Sequence, residues 1–380
     1  MDKLIRQSWW KAVAVLILLY VFVAGLLVPL KPNITTVELE GGGIAMAGKV
    51  AVLEITGYNT HFVTAGDELQ AWLLHDQSAK LPVAGIEVVD EQIARLTFQL
   101  PADNPGNKET ISASLVMDSP VDGFFVRPSA LTIGPATLKS ENTRITNWEN
   151  SPPKGLHTLD GVTYPFRNIL AETIRNTYFH VSLWLAMMLI FIAAVVYAVK
   201  YLRLQGKMNK GKVLETELTG VSPRERADYW SQALTGAGLL FGLLGLTTGM
   251  LWGKYTWGSW WSWDIKQFTT LIALLIYAGY FVLRASFSDP EARGRIGAVY
   301  NIFAFAALIP LIYVLPRLSD SSLHPGNGGN PALGGEDLDN TMRMVFYPAV
   351  IAWTLMGGWL ASVLYRIRRL EQVRKEALDF

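Results

Sequence analysis

Cysteine is absent from the 380 residues. That excludes disulfides, thiolate metal sites and dithiol exchange together. It leaves five histidines, His61, His75, His157, His180 and His324, as the soft-metal ligands. Charge is scarce too. Only 17% of residues are charged and the formal net charge is +1, so there is no basic excess to hold nucleic acid. Apolar residues fill the deficit, at 51% of the chain and a mean hydropathy of +0.25. This is the composition of a membrane protein with one water-exposed part.

Crossing about 30 Å of hydrocarbon takes about 20 mostly apolar residues. Six windows qualify: 11–30, 179–201, 232–251, 267–286, 296–315 and 344–365. The first is long for a signal-peptide core and no small-x-small site follows it, so it reads as a retained anchor. Basic residues gather at Lys3, Arg6 and Lys11, then at Arg203, Lys207, Lys210, Lys212, Arg224 and Arg226. A third group is Arg284, Arg293 and Arg295, and a fourth is Arg366, Arg368, Arg369, Arg374 and Lys375. Six spans put all four groups on one side, the cytoplasm by the positive-inside rule. Segments 31–178, 252–266 and 316–343 then face outward.

Residues 31–178 hold no spanning window. Lys49–Thr56, Glu68–Leu74, Gln92–Leu100 and Ile111–Met117 show alternation or β-branched bias between Gly, Asn, Pro and Asp breaks. They predict an antiparallel, Ig-like sandwich. The expected fold class is a membrane α-helical bundle of six transmembrane helices with an extracytoplasmic all-β, Ig-like domain. The expected division is an anchor over 1–35, the β domain over 36–136, a linker over 137–176, a five-helix membrane domain over 177–370 and a cytoplasmic tail over 371–380. His61, His75 and His157 fall singly in the outer segment, without metal-ligand spacing, and read as surface or hydrogen-bonded side chains. Gly238-x-x-x-Gly242 and Gly245-x-x-x-Gly249 in the third span read as helix packing.

Residues 252–264 read WGKYTWGSWWSWD, with Trp252, Trp257, Trp260, Trp261 and Trp263 closed by Asp264. Membrane-edge belts use Trp and Tyr as isolated anchors. Five spaced by glycines make a broad aromatic surface, suited to a large planar apolar ligand such as a porphyrin. With haem as the trial ligand, His180 at the outer end of the second span and His324 in the last outer loop are the candidate axial ligands of the iron. Arg175, Lys254, Lys266, Arg317 and Arg343 lie near the same boundary as partners for the propionates. Asp264 serves either as a helix cap or as a ligand contact. His324 sits in the irregular run Leu323-His-Pro-Gly-Asn-Gly-Gly329, which suits a site that takes up and hands over cargo.

At these residues the sequence resembles a known family. WGKYTWGSWWSWD looks like the tryptophan-rich WWD signature of haem-handling proteins in cytochrome c maturation, and with the following LIALLIYAGY run it is similar to the CcmC branch of system I, in the CcmC/CcsA superfamily. Arg175-Asn-Thr-Tyr-Phe-His180 and Ser322-Leu-His324 match the settings of the family's two histidines. Three departures stand out. The proline expected after the first histidine is replaced by Val181-Ser182, Lys266 stands where arginine is common, and residues 31–165 exceed the family's short first outer loop.

The resemblance implies a non-enzymatic protein of the bacterial inner membrane; the six spans and their basic flanks put both termini in the cytoplasm and the β domain on the periplasmic side. It implies haem b bound as cargo and presented at the periplasmic face. It also implies partners: the haem chaperone CcmE, a haem-release ABC transporter with a small accessory subunit, and membrane lipid. A haem exporter or channel is the alternative. It requires polar or ligating residues through the bundle, and the spans offer only occasional Thr, Tyr and Asn.

Overall fold

The computed structural model describes residues 8–76, 79–136, 147–159, 161–168, 170–209, 221–319, 322–324 and 338–378. The basic residues Lys3, Arg6, Lys210 and Lys212 and the glycine-rich stretch 325–329 lie outside the described residues. The chain divides into two units, Pro29–Ala171 and the remainder.

Pro29–Ala171 is a two-sheet sandwich. One sheet has the order β1 (Asn33–Leu39), β3 (Val50–Tyr58), β7 (Ile93–Gln99), β6 (Gly85–Val88). The other runs β10 (Glu149–Asn150), β5 (Ala79–Pro82), β4 (Gln70–His75), β8 (Ile111–Ser119), β9 (Gly123–Gly134), β2 (Ala45–Met46). Every pairing is antiparallel except β2 on β9. An A-B-E-D sheet facing a C′-C-F-G sheet is the immunoglobulin order, so the Ig-like expectation holds at the level of topology.

The alternation read from sequence is what builds this core. Leu53 and Ile55 of β3, Leu96 and Phe98 of β7, and Leu115 and Met117 of β8 all point into one buried cluster. The unit begins before residue 36 and takes in much of the expected linker: β10 pairs with β5, and Tyr164 N donates to Pro29 O at 2.9 Å. Each exposed histidine is held by a buried aspartate. His61 Nδ1 lies 2.8 Å from Asp122 and His157 Nδ1 lies 2.8 Å from Asp118.

Among the described residues, the other unit contains six helices long and apolar enough to cross a membrane. They are α1 (Trp9–Leu27), α2 (His180–Met208), α3 (Pro223–Trp257), α4 (Ile265–Ala285), α5 (Pro290–Ile309) and α6 (Asn340–Leu378). A 3₁₀ segment, Ala171–Tyr178, leads into α2, and α5 continues through one π turn and one 3₁₀ turn to Leu318.

The starts follow local chemistry. Ser222 and Glu225 form a capping box before α3 with Pro223 at its first position, and the Asp289 carboxylate accepts from Ala292 N at 2.7 Å before α5. The end of α3 at Trp257 is set by Gly258, whose φ of 80° is the left-handed cap that terminates helices. This helix therefore runs six residues past the expected span, and Trp252, Lys254 and Trp257 ride on its last turns.

Helices α2 and α3 pack antiparallel through the glycine ladder of α3. A Cβ added at Gly238 would meet Phe191 at 2.5 Å, one at Gly242 would meet Met187 at 3.1 Å, and one at Gly245 would meet Trp184 at 2.9 Å. The spacing 4-3 of these glycines on α3 thus mates with 4-3 on α2, and at Gly242 Leu274 of α4 closes in as well, 2.3 Å from where a Cβ would stand. Phe191 in turn stacks on Tyr277 of α4 with centroids 3.8 Å apart.

The far end of α3 is polar. The Arg284 guanidinium meets both oxygens of Asp228 at 2.7 Å, and Gly297 of α5 gives it room. Asn301, fully buried, donates to Ser231 and Thr235.

At the edge of the bundle, Pro348 within α6 supplies no N–H for the Met344 carbonyl. The Tyr20 hydroxyl of α1 donates to that oxygen instead, at 3.1 Å.

Candidate functional site

The fourth step of the glycine ladder differs from the other three. A Cβ at Gly249 would lie 2.7 Å from Cε1 of His180, the first residue of α2. The missing methyl therefore houses an imidazole.

The neighbour of Gly249 orients that ring. His180 Nδ1 is 3.1 Å from Thr248 Oγ1. Thr248 has one hydroxyl hydrogen, and it is directed at Leu244 O, 2.9 Å away, with Gly245 O at 3.0 Å. The hydroxyl oxygen thus faces His180 as an acceptor, so Nδ1 carries the proton and Nε2 keeps its lone pair. Trp184 and Trp252 meet the same ring edge-on at 6.2 and 5.7 Å.

His324 is built in parallel from different parts. Its Nδ1 donates to Asp264 Oδ1 at 2.8 Å, which again leaves Nε2 free of that bond. The Asp264 side chain is 0% exposed and makes three further bonds: Oδ1 accepts from Lys266 N, and Oδ2 accepts from Ser322 Oγ and Leu323 N. One carboxylate therefore caps α4, pins the 322–324 segment and orients the imidazole. Burial pushes its pKa up. The hydrogen bond from His324, with the Leu323 and Lys266 N–H groups, outweighs that and holds it well below the usual carboxylate range. Trp257 stands edge-on to His324 at 4.9 Å.

Both imidazoles lie at the same end of the bundle, and His180 is within electrostatic reach of His324 and Lys266. Lys266 is in turn within reach of Arg317. Trp260 and Trp263 are exposed, and Trp261 stands edge-on to Trp263 at 5.7 Å. The Trp261 indole nitrogen is buried with no hydrogen-bond partner among the described residues. Trp263 has a φ of 57°, a left-handed backbone costly for a bulky side chain, and it sits immediately before the Asp264 cap.

These donors fit a haem. Two neutral imidazole nitrogens suit its iron, indole faces suit its ring, and the Lys266 and Arg317 cations with an orphaned indole N–H suit its carboxylates. Among the described residues no group of three or more His, Asp or Glu could hold a bare metal ion.

Other candidate residues are engaged elsewhere. The Arg175 guanidinium pairs with Glu172 and donates to Gly25 O and Val28 O, closing the last turn of α1. Lys254 Nζ donates to Gly258 O at 3.1 Å, closing α3. Trp252 Nε1 donates to Thr173 Oγ1 at 3.0 Å. Arg343 bonds Asn340 within α6. Two residues outside the sequence expectation, Thr248 and Gly249, turn out to support His180. Their only signal in the chain is the last glycine of the ladder, which packing alone explained.

Residues 169–324 match the model of the cytochrome c assembly protein family. Heme exporter protein C of Bradyrhizobium diazoefficiens is 31% identical over 130 residues, 34% of this chain and 48% of that protein. The protein of the same name from Haemophilus influenzae is 28% identical over 143 residues, 38% of this chain and 57% of that one. Cytochrome c biogenesis protein CcsA of Synechococcus sp. is 32% identical over 119 residues, 31% of this chain and 37% of its own. The chain thus spans about half the length of the heme exporter relatives it matches.

Proposed function

We propose, from the match of residues 169–324 to the cytochrome c assembly protein family and the likeness to heme exporter protein C and CcsA, that the protein belongs to the CcmC/CcsA branch, binds haem between His180 and His324 and presents it for cytochrome c maturation. One observation carries the reading: two histidines from separate segments each have Nδ1 tied to an acceptor and Nε2 left for iron, beside Trp252 and Trp257. That is the arrangement of imidazoles prepared as metal ligands. Haem b is the cargo, and Lys266 and Arg317 are the partners of its propionates. The recipient is the haem chaperone CcmE, released afterwards by an ABC transporter with its small accessory subunit. The site lies on the periplasmic side of the bacterial inner membrane, with both termini cytoplasmic.

The test is a haemin titration of the purified protein followed by its visible spectrum. Wild type is expected to give the Soret and α/β bands of bis-histidine haem. His180→Ala and His324→Ala each lose the six-coordinate spectrum. A wild-type protein that takes up no haemin overturns the reading. Gly249→Val is expected to weaken haem binding about 10- to 100-fold, the effect of a lost supporting group at a metal ligand, because the added methyls occupy the space of the His180 ring. Gly238→Ala, at the remote end of the ladder, should leave the affinity unchanged and lower only the melting temperature.

A path for haem through the bundle would have to join the polar cluster around Asn301 to His180. Between them lie the stacked Phe191 and Tyr277, then Met187 and Leu274 against Gly242. Presentation at one end of the bundle is the reading these apolar layers favour over export through it.

A further inference from the structure

We propose that the two histidines hold the iron unequally, and that His180 is the ligand released first when haem is passed on. This rests on the haem-presenting reading above.

The inequality comes from the acceptors behind the two rings. His324 donates its Nδ1–H at 2.8 Å to a carboxylate with no exposed surface, itself fixed by three other hydrogen bonds. A buried anion draws that proton toward itself and raises the electron density at Nε2, which strengthens the bond to iron. His180 donates at 3.1 Å to a neutral hydroxyl oxygen whose own hydrogen is committed to main-chain carbonyls of α3. A neutral acceptor at longer distance raises the density at Nε2 less. The ligand on the loop is therefore the stronger one, and it is not loose: Leu323 N and Ser322 Oγ tie its segment to the same carboxylate.

Release then runs in one order. The bond from iron to His180 Nε2 breaks, and its electron pair stays on the nitrogen. The Nδ1 proton stays on His180, held by Thr248, so no proton transfer is needed and the iron keeps its oxidation state. The vacated axial position accepts the lone pair of an incoming base from the acceptor, while His324 still holds the opposite face. The acceptor therefore approaches on the His180 side of the ring.

Carbon monoxide serves as the incoming ligand in the test. The full-length protein is loaded with haemin, reduced, exposed to carbon monoxide and examined by resonance Raman spectroscopy, which reports the ligand opposite the bound gas through the iron–carbon and carbon–oxygen stretches. Asp264→Asn makes the acceptor behind His324 neutral, and Thr248→Val removes the acceptor behind His180. The expected result is a shift of both stretches in Asp264→Asn and none in Thr248→Val, because His180 has already left. A shift in Thr248→Val without one in Asp264→Asn, or equal shifts in both, overturns the order.

Thr248→Asp keeps the test decisive should Asp264→Asn fail to fold. A carboxylate behind His180 is expected to slow carbon monoxide binding, and an unchanged rate counts against the proposal. Wild-type protein that shows no haem absorbance before the gas is added fails at an earlier step. That outcome removes the haem-presenting reading and this inference together.

Discussion

Asp228→Ala is expected to destabilise the helical unit by about 3–5 kcal/mol, the cost of leaving one partner of a buried ion pair alone. Arg284 is 6% exposed and meets Asp228 through two bonds of 2.7 Å. Its position is enforced from behind, since Gly297 leaves only enough room for the guanidinium, with Nη1 2.4 Å from where a Cβ would stand. Removing the carboxylate strands a charge that can neither move outward nor lose its proton. The double replacement Asp228→Ala with Arg284→Met removes both charges and is expected to recover most of the loss. Melting temperatures of the two variants and wild type in one detergent check this. A double variant no more stable than Asp228→Ala would mean that the pair holds the helices by geometry rather than by mutual neutralisation.

Asp264→Ala is expected to act on both the fold and the site. It deletes the cap of α4, worth about 1 kcal/mol, and removes the acceptor of the part-buried Leu323 N–H and Ser322 hydroxyl bonds, at about 0.5–1.5 kcal/mol for each. His324 loses its orienting bond at the same time, and haem affinity should fall about 10- to 100-fold. The spectrum should pass from six-coordinate toward five-coordinate haem, with His180 as the remaining ligand. The carboxylate's depressed pKa keeps it ionised through the neutral range, so it serves His324 as an anionic acceptor there. A melting temperature that drops while haem binding stays intact would show that His324 does not depend on Asp264 for its role.

Much of this was legible in the chain because it is local. Hydrophobic windows gave six spans, since length and composition alone decide whether a helix crosses a bilayer. Period-two alternation gave the sandwich. The resemblance was readable from WGKYTWGSWWSWD, and residues 169–324 match the model of the cytochrome c assembly protein family.

What could not be read was long-range. Thr248 lies 68 residues from His180, and only the antiparallel mating of α2 with α3 brings them together. Arg175 and Lys254 looked like partners for a carboxylate because they are cations near a membrane boundary. A helix end, however, presents unsatisfied carbonyls at the same place, and these claim the nearest donors. The two roles have the same composition and differ only in where the carbonyls point. Strand β10, inside the expected linker, was hidden for a related reason: it is two residues long and has no pattern of its own until it meets β5.

The bond from Tyr20 to Met344 bears on how the chain assembles as it is made. The two residues are 324 positions apart. At about 5–20 residues per second, the Tyr20 hydroxyl emerges roughly 15–65 s before the carbonyl it will serve. The partners of α1 made within that interval include the segment before α2, through Tyr178 at Gly25 and Arg175 at the carbonyls of its last turn. The carbonyl freed by Pro348, once synthesised, has no water to turn to in a hydrocarbon layer. Helix α6 therefore needs a partner translated long before it, and the contact between α1 and α6 forms only after Met344 has been made.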